Sequence, residues 1–200
     1  FGCFNGSFMV SHFIIRDDVR KHGSGNAGLT NFYRTYGAKY ALLVIACDMG
    51  KTVAACLLGS FFFRCLGWDG TLGTLLAGLG CELGHIFPVF YGFRGGKGIL
   101  SGGTLVLLLN WRVAAVAWAL FLLLWLTTRY VSLASITATC SAPITVYFVY
   151  AHNWLYTGLC LAVAALVVWC HRENIQRLLH GTEKKFKWHV NPMEGKDPPQ

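Results

Sequence analysis

Residues 99–127 read "ILSGGTLVLLLNWRVAAVAWALFLLLWLT", an apolar run interrupted by Asn110, Trp111 and Arg112. As one helix it would extend roughly 43 Å at 1.5 Å per residue, well past the ~30 Å hydrocarbon core of a bilayer. The Asn-Trp-Arg triplet is a natural break, with an aromatic suited to the membrane interface. The run is therefore read as two helices. The first, 99–109, is too short to cross alone and must be sheltered by protein or water.

Outward from this stretch, apolar segments recur at 1–15, 38–63, 71–87, 99–109, 112–127, 130–151 and 154–171. Hydrophobic side chains make up 54% of the 200 residues and charged ones only 13%, about half the charge of a soluble domain. The pattern is that of an all-α polytopic membrane protein. Charge settles the parity. With seven transmembrane helices, fourteen of the seventeen Lys and Arg residues share one face, Arg64 and Arg112 lie opposite, and Lys51 sits inside a helix. The positive-inside rule places the basic face and the C-terminus in the cytoplasm and the N-terminus outside. Six helices would separate the basic tail from the first basic loop.

The first run begins at Phe1 and is short for a span, so its start is read as trimmed or missing. One domain is expected over 1–190, with a polar, Pro-rich tail at 191–200. The eight cysteines show neither C-x-x-C nor metal-ligand spacing and are read as packing residues. Asp48 and Lys51, one turn apart inside the second apolar segment, are expected to neutralise each other and hold that helix beneath a site.

Three polar segments fall on the basic face. The first, "HGSGNAGLTNFYR" (22–34), contains a G-x-G-x-x-G at Gly23, Gly25 and Gly28, but no hydrophobic strand precedes it, which excludes a dinucleotide fold. Its glycines allow backbone N–H groups to turn toward an anion, Ser24 and Asn26 are expected to cap the next helix, and Gly37 to end it. Thr30 and Arg34 share one face of that helix. The second, "GHIFPVFYGFRGGKG" (84–98), lacks P-loop spacing, yet Arg94 and Lys97 among Gly95, Gly96 and Gly98 suggest a flexible, doubly cationic loop suited to phosphate. His85 ends the preceding helix. In the third, "HRENIQRLLHGTE" (171–183), His171, Asn174 and Arg177 form a drifting stripe where the last span emerges. A competing H-x-x-x-x-D pattern, His12 to Asp17, is short and recurs by chance.

In order and separation, "GSGNAGLTN..R", "GH.FP.F..FRGGKG" and "HR.NI.RLL.GTE" resemble the three signature motifs of the bacterial acyl-phosphate-dependent glycerol-3-phosphate acyltransferases. "TRYVSLASI" (128–136) matches as well. The sequence departs at Leu29, at Ile99-Leu100-Ser101 and at "GCFNGS" near the start; none removes a polar candidate. The resemblance implies transfer of a fatty acyl chain from acyl phosphate to the 1-hydroxyl of glycerol 3-phosphate at the cytoplasmic face of the cell membrane. It implies no metal, coenzyme A or carrier protein, and a monomer among membrane lipids with no nucleic-acid partner.

The chemistry agrees with the residues. Acyl phosphate is already activated, so positioning and charge stabilisation suffice without an acyl-enzyme. Ser24, Asn26, Thr30, Asn31 and Arg34, with N–H groups of the Gly23–Gly25 turn, are assigned to one phosphate. Lys97, with Arg94 and the loop of Gly95, Gly96 and Gly98, is assigned to the other. His171 and Asn174 contact glycerol 3-phosphate, and either His171 or the substrate's own phosphate takes the hydroxyl proton. His85, Ser132, Ser135 and Arg177 are supporting candidates. A transporter would require discontinuous helices paired across an internal pseudo-symmetry, with polar groups near the midplane on both halves; the chain has no internal repeat and its polar clusters gather on one face.

Overall fold

The computed structural model describes residues 1–188; the tail expected at 191–200 and the domain limit at 190 lie outside the described residues. Helices joined by turns and loops, with no strand, make up the described residues. In order these are α1 (Gly6–Ile15), α2 (Leu29–Tyr36), α3 (Ala41–Cys65), α4 (Gly70–Ile86), α5 (Ile99–Leu109), α6 (Trp111–Thr128), α7 (Val131–Val149), α8 (Trp154–Cys170) and α9 (Arg172–Leu179). Asn110 is the predicted break: its extended backbone ends α5, and its side chain accepts from the Arg112 N–H at 2.9 Å to cap α6.

Helices α3, α6 and α7, together with α4 continued to Tyr91, are long and apolar enough to cross a membrane. Helices α8 and α9 pass jointly but bend by 59° between them, and α1 and α5 are shorter apolar helices. The polarity is inverted relative to a water-soluble bundle. Leu57, Phe61, Leu123, Ile144 and Phe148 face outward, whereas Ser101 and Thr104 are buried. Between α3 and α4, Gly59 and Gly73 lie so close that a Cβ on either would overlap the backbone of the other, the small-residue contact favoured where lipid supplies no hydrophobic drive.

The short α5 is sheltered on several sides. Leu105 packs with Cys56 of α3 and Val163 and Val167 of α8, while Val106 and Leu109 join Val113, Val146 and Cys160 of α6, α7 and α8. A second core, containing Phe8, Val19, Ala27, Phe32 and Val44, carries α2 across the end of the bundle where the polar segments meet.

Candidate active site

The Gly92–Gly98 loop folds back onto the end of α4. Gly95 N–H donates to Ile86 O at 3.2 Å and Gly96 N–H to His85 O at 3.1 Å. A Cβ at Gly95 would overlap the His85 carbonyl, one at Gly96 the His85 ring, and one at Gly98 the Glu82 carboxyl; Gly98 also adopts φ 80°. The glycines serve close packing, and the flexible loop expected from sequence is instead fixed. Its two cations separate: Arg94 is exposed, whereas Lys97 is half-buried and donates to Asn174 Oδ1. His85 is buried, with Nδ1 2.7 Å from Lys51, which pairs with Asp48 at 2.8 Å as expected.

The Gly23–Gly28 turn is organised differently from its sequence reading. Gly28 is the N-cap of α2 and no side chain caps it, which corrects the role expected of Ser24 and Asn26. Asn26 instead donates to Gly95 O at 3.4 Å. Asn31 is buried and accepts from Ser24 N–H at 3.0 Å, while the two hydrogens of its Nδ2 are shared among Val19 O, His22 O and Asn26 O at 3.0–3.1 Å. One amide thus replaces a cap by tying the turn together from inside the helix. The N–H groups of Ser24 and Gly25 are engaged within the segment and that of Ala27 by Gly95 O of the neighbouring loop, so the anion-facing nest expected at this turn is not formed by them. Gly23, Ser24 and Gly25 stand exposed at its tip, Thr30 is half-buried, and Gly37, at φ 75°, ends α2 as predicted.

His171 sits at the bend between α8 and α9, not on one continuous stripe with Asn174 and Arg177. Its buried ring places Nδ1 2.8 Å from Val167 O. A carbonyl only accepts, so in the neutral ring Nδ1 carries the hydrogen and Nε2 keeps its lone pair. Gly181, at φ 68°, turns the chain back, and Glu183 enters the site. Its carboxylate accepts from Asn174 Nδ2 at 2.7 Å, Ser132 Oγ at 2.8 Å and Arg177 Nε at 2.7 Å. Ser135 is buried one turn further along α7. Glu183 was not singled out from sequence; its signal was an acid two residues beyond a turn-forming glycine, on a strongly basic face.

The segment after Glu183 crosses back over α2. Arg34 Nη2 donates to Lys184 O at 3.0 Å, Tyr33 Oη to Trp188 O at 2.8 Å, and the Phe186 ring stacks 5.4 Å from Tyr33. With Ala27 N–H donating to Gly95 O at 3.2 Å, the three sequence-predicted segments are joined at one end of the bundle. The competing His12–Asp17 pattern is not assembled: Asp17 pairs with His22 at 2.8 Å, while His12 is exposed and stacks on Phe8.

Arg34, Lys97 and Arg177 crowd around Glu183. Burial pulls the Lys97 ammonium below its ordinary pKa, helped by the charge of Arg177 and opposed by Glu173 and Glu183. Burial likewise lowers Arg34, against the pull of Glu183. Burial alone would raise Glu183, but hydrogen bonds from Arg177, Asn174 and Ser132 overcome it and hold the carboxyl below its ordinary range. Three cations around two carboxylates, Glu173 and Glu183, leave the cluster net positive.

Fold and site together define an integral membrane protein with a polar, cationic head at one end of its bundle. A family model described as glycerol-3-phosphate acyltransferase matches residues 1–181. Similar proteins named glycerol-3-phosphate acyltransferase include one from Syntrophomonas wolfei, 38% identical over 180 residues (90% of this chain, 89% of that one). Another, from Aquifex aeolicus, is 41% identical over 170 residues (84% and 85%). A crystal structure of PlsY (YgiH), an integral membrane glycerol 3-phosphate acyltransferase in its glycerol 3-phosphate form, is similar with a TM-score of 0.80 and 37% identity, covering 93% of this chain and 92% of that one. The same protein's lysophosphatidic acid form gives 0.78 and 36%, covering 94% and 93%. The chain belongs to the glycerol-3-phosphate acyltransferase family.

Proposed function

We propose that this protein transfers a fatty acyl group from acyl phosphate to the 1-hydroxyl of glycerol 3-phosphate, releasing lysophosphatidic acid and phosphate. It works as a monomer in the bacterial cytoplasmic membrane, with seven spans, the N-terminus outside, and the site and C-terminus at the cytoplasmic face. The observation that carries this reading is the joining of Lys97, Asn174 and Glu183 beside Arg34 and Arg177, a cationic cluster at the end of a lipid-facing bundle. Both substrates are phosphates, and one also bears an apolar tail, which suits a site above outward-facing Leu and Phe.

Arg34, with Ser24 and Thr30 at the open side of the α2 head, holds one phosphate. Lys97 holds the acyl phosphate and offsets charge on its phosphate as it leaves. Arg94 assists from the exposed edge, Asn26 and Asn31 shape the α2 turn, and Gly95, Gly96 and Gly98 set the position of Lys97. Asn174 orients glycerol 3-phosphate between Lys97 and Glu183. The 1-hydroxyl oxygen attacks the acyl carbon and forms the ester bond. The bond from that carbon to the phosphate oxygen breaks, and the phosphate departs with the electron pair. His171 Nε2 accepts the hydroxyl proton, since its Nδ1 is committed to Val167 O. Transfer is direct, without an acyl-enzyme. Incubating purified protein with radiolabelled glycerol 3-phosphate and either acyl phosphate or acyl-coenzyme A tests the donor. Labelled lysophosphatidic acid is expected from acyl phosphate alone; product from acyl-coenzyme A alone would overturn the assignment.

A further inference from the structure

Beneath the Gly92–Gly98 loop lies a buried polar cluster that the reaction above leaves unused. Lys51 Nζ is 2.8 Å from Phe4 O, 2.8 Å from Asp48 Oδ1 and 2.7 Å from His85 Nδ1. Asp48, Lys51 and His85 are only 1%, 6% and 4% exposed. Charged and polar side chains this deep in apolar helices are costly and call for a purpose.

The hydrogen-bond arithmetic gives one. An ammonium has three N–H donors and no lone pair. The Phe4 carbonyl and the Asp48 carboxylate only accept, and they take two of the three. The third is directed at His85 Nδ1, which must then accept, and the neutral ring carries its hydrogen on Nε2. Nε2 and Cε1 fill the space a side chain at Gly96 would occupy, and the His85 carbonyl holds the Gly96 N–H. Lys97 follows directly and reaches Asn174. The same cluster binds α1, since Asp48 Oδ1 also accepts from Gly6 N–H at 3.0 Å, and the neighbouring Asn5 donates to Ala27 O at 2.9 Å.

We propose that Lys51 is a positioning residue: acting through His85, it fixes the imidazole tautomer and seats the Gly95–Gly96 turn so that Lys97 meets Asn174. The activity part rests on the acyl-transfer role given to Lys97 above; the tautomer part stands without it. A neutral side chain at position 51 would leave His85 Nδ1 without its donor and free the ring to take either tautomer, loosening the surface on which Gly96 packs.

The test uses the full chain, 15N-labelled at histidine, in phospholipid nanodiscs, with the His85 resonances assigned by their loss in His85→Gln. In the wild type the hydrogen is expected on Nε2, with Nδ1 unprotonated. In Lys51→Met combined with Asp48→Asn, which strands no charge, the two tautomers are expected to mix. In that variant kcat is expected to fall roughly 10- to 100-fold, as for a small misplacement of a reacting group, while KM for glycerol 3-phosphate changes little. Lys51→Arg, which keeps charged donors, is expected to recover part of the loss. A wild-type ring carrying its hydrogen on Nδ1, or a double variant with unchanged tautomer and kcat, would overturn the proposal. Failure of the donor assignment has a separate signature: no turnover of acyl phosphate by the wild type, with the His85 hydrogen still on Nε2.

Discussion

Asn174 Nδ2 donates to Glu183 Oε1 at 2.7 Å while the carbonyl oxygen of the same amide accepts from Lys97. The amide can face only one way, because lysine only donates and carboxylate only accepts. Asn174 is thus a neutral spacer with one polar edge for the cation and another for the anion. Asn174→Asp keeps the shape but sets a second carboxylate against Glu183. Acyl transfer is expected to drop about 100-fold or more, with the protein still eluting as a folded species. A rate near wild type, measured with saturating acyl phosphate, would count against the spacer role.

The alkaline side of the pH profile reports on Lys97. Burial and the Arg177 charge hold its pKa below the ordinary 10.5, so the ammonium is lost earlier than on a surface lysine as pH rises. The alkaline limb of kcat/KM is expected below 10.5, and Lys97→Arg, if active, should move it upward because a guanidinium stays charged. Stability runs the opposite way. Between the folded and unfolded pKa values the unfolded chain binds more protons, so raising the pH through that window stabilises the fold. Activity and thermal stability that fell together there would refute the assignment of this limb to Lys97.

Glu183 sets the acid side. Its folded pKa lies below the ordinary 4.5, with burial outweighed by hydrogen bonds from Arg177, Asn174 and Ser132. The stabilisation from its ionised form is therefore complete above 4.5 and lost as pH falls through the lower, folded value. Thermal unfolding of the wild type should show a falling midpoint in that interval. Glu183→Gln should lower the midpoint near neutrality and flatten the acid dependence; an equally steep acid limb in the variant would exclude Glu183 as its source.

The helices and the polar break at Asn110 were legible in sequence, because hydropathy and length are local properties. The sequence also placed Lys97, Asn174 and Arg34 in one site, since each lies in a short polar segment between apolar runs. Long-range hydrogen-bond partners were not legible. Nothing local marks Asn31 as the residue that ties the Gly23–Gly28 turn, or Glu183 as the shared acceptor of Asn174, Ser132 and Arg177. The glycines beside Lys97 were read as flexible because sequence shows the absent side chain, but not the His85 and Glu82 groups that fill the vacated space.

The bond from His171 to Val167 O separates two roles for the imidazole. Asn at this position can present an amide N–H near the place of Nδ1 and keep the bond to the carbonyl, yet it offers no basic nitrogen. His171→Asn is therefore expected to fold with a near-normal unfolding midpoint and lose roughly 100- to 10,000-fold in kcat, the span general-base catalysis commonly supplies. If the variant turned over within a few-fold of wild type, the hydroxyl proton would be going elsewhere, with the substrate's own phosphate the alternative base.

The packing of the Lys97 loop on α4 predicts sharply different outcomes for two glycines. A Cβ at Gly96 would overlap His85 Nε2 and lie 3.1 Å from Ala27 O, whereas a Cβ at Gly80 would meet nothing within 4 Å. Gly96→Ala must displace either the imidazole or the loop, at a cost of about 1–3 kcal/mol, and either shift moves Lys97 away from Asn174. Gly80→Ala adds a methyl to an open helix face and should leave stability unchanged or raise it by up to about 1 kcal/mol. Thermal unfolding and acyl transfer measured on both variants in the same detergent decide the matter. Equal tolerance at the two positions would mean that the loop does not depend on contact with His85.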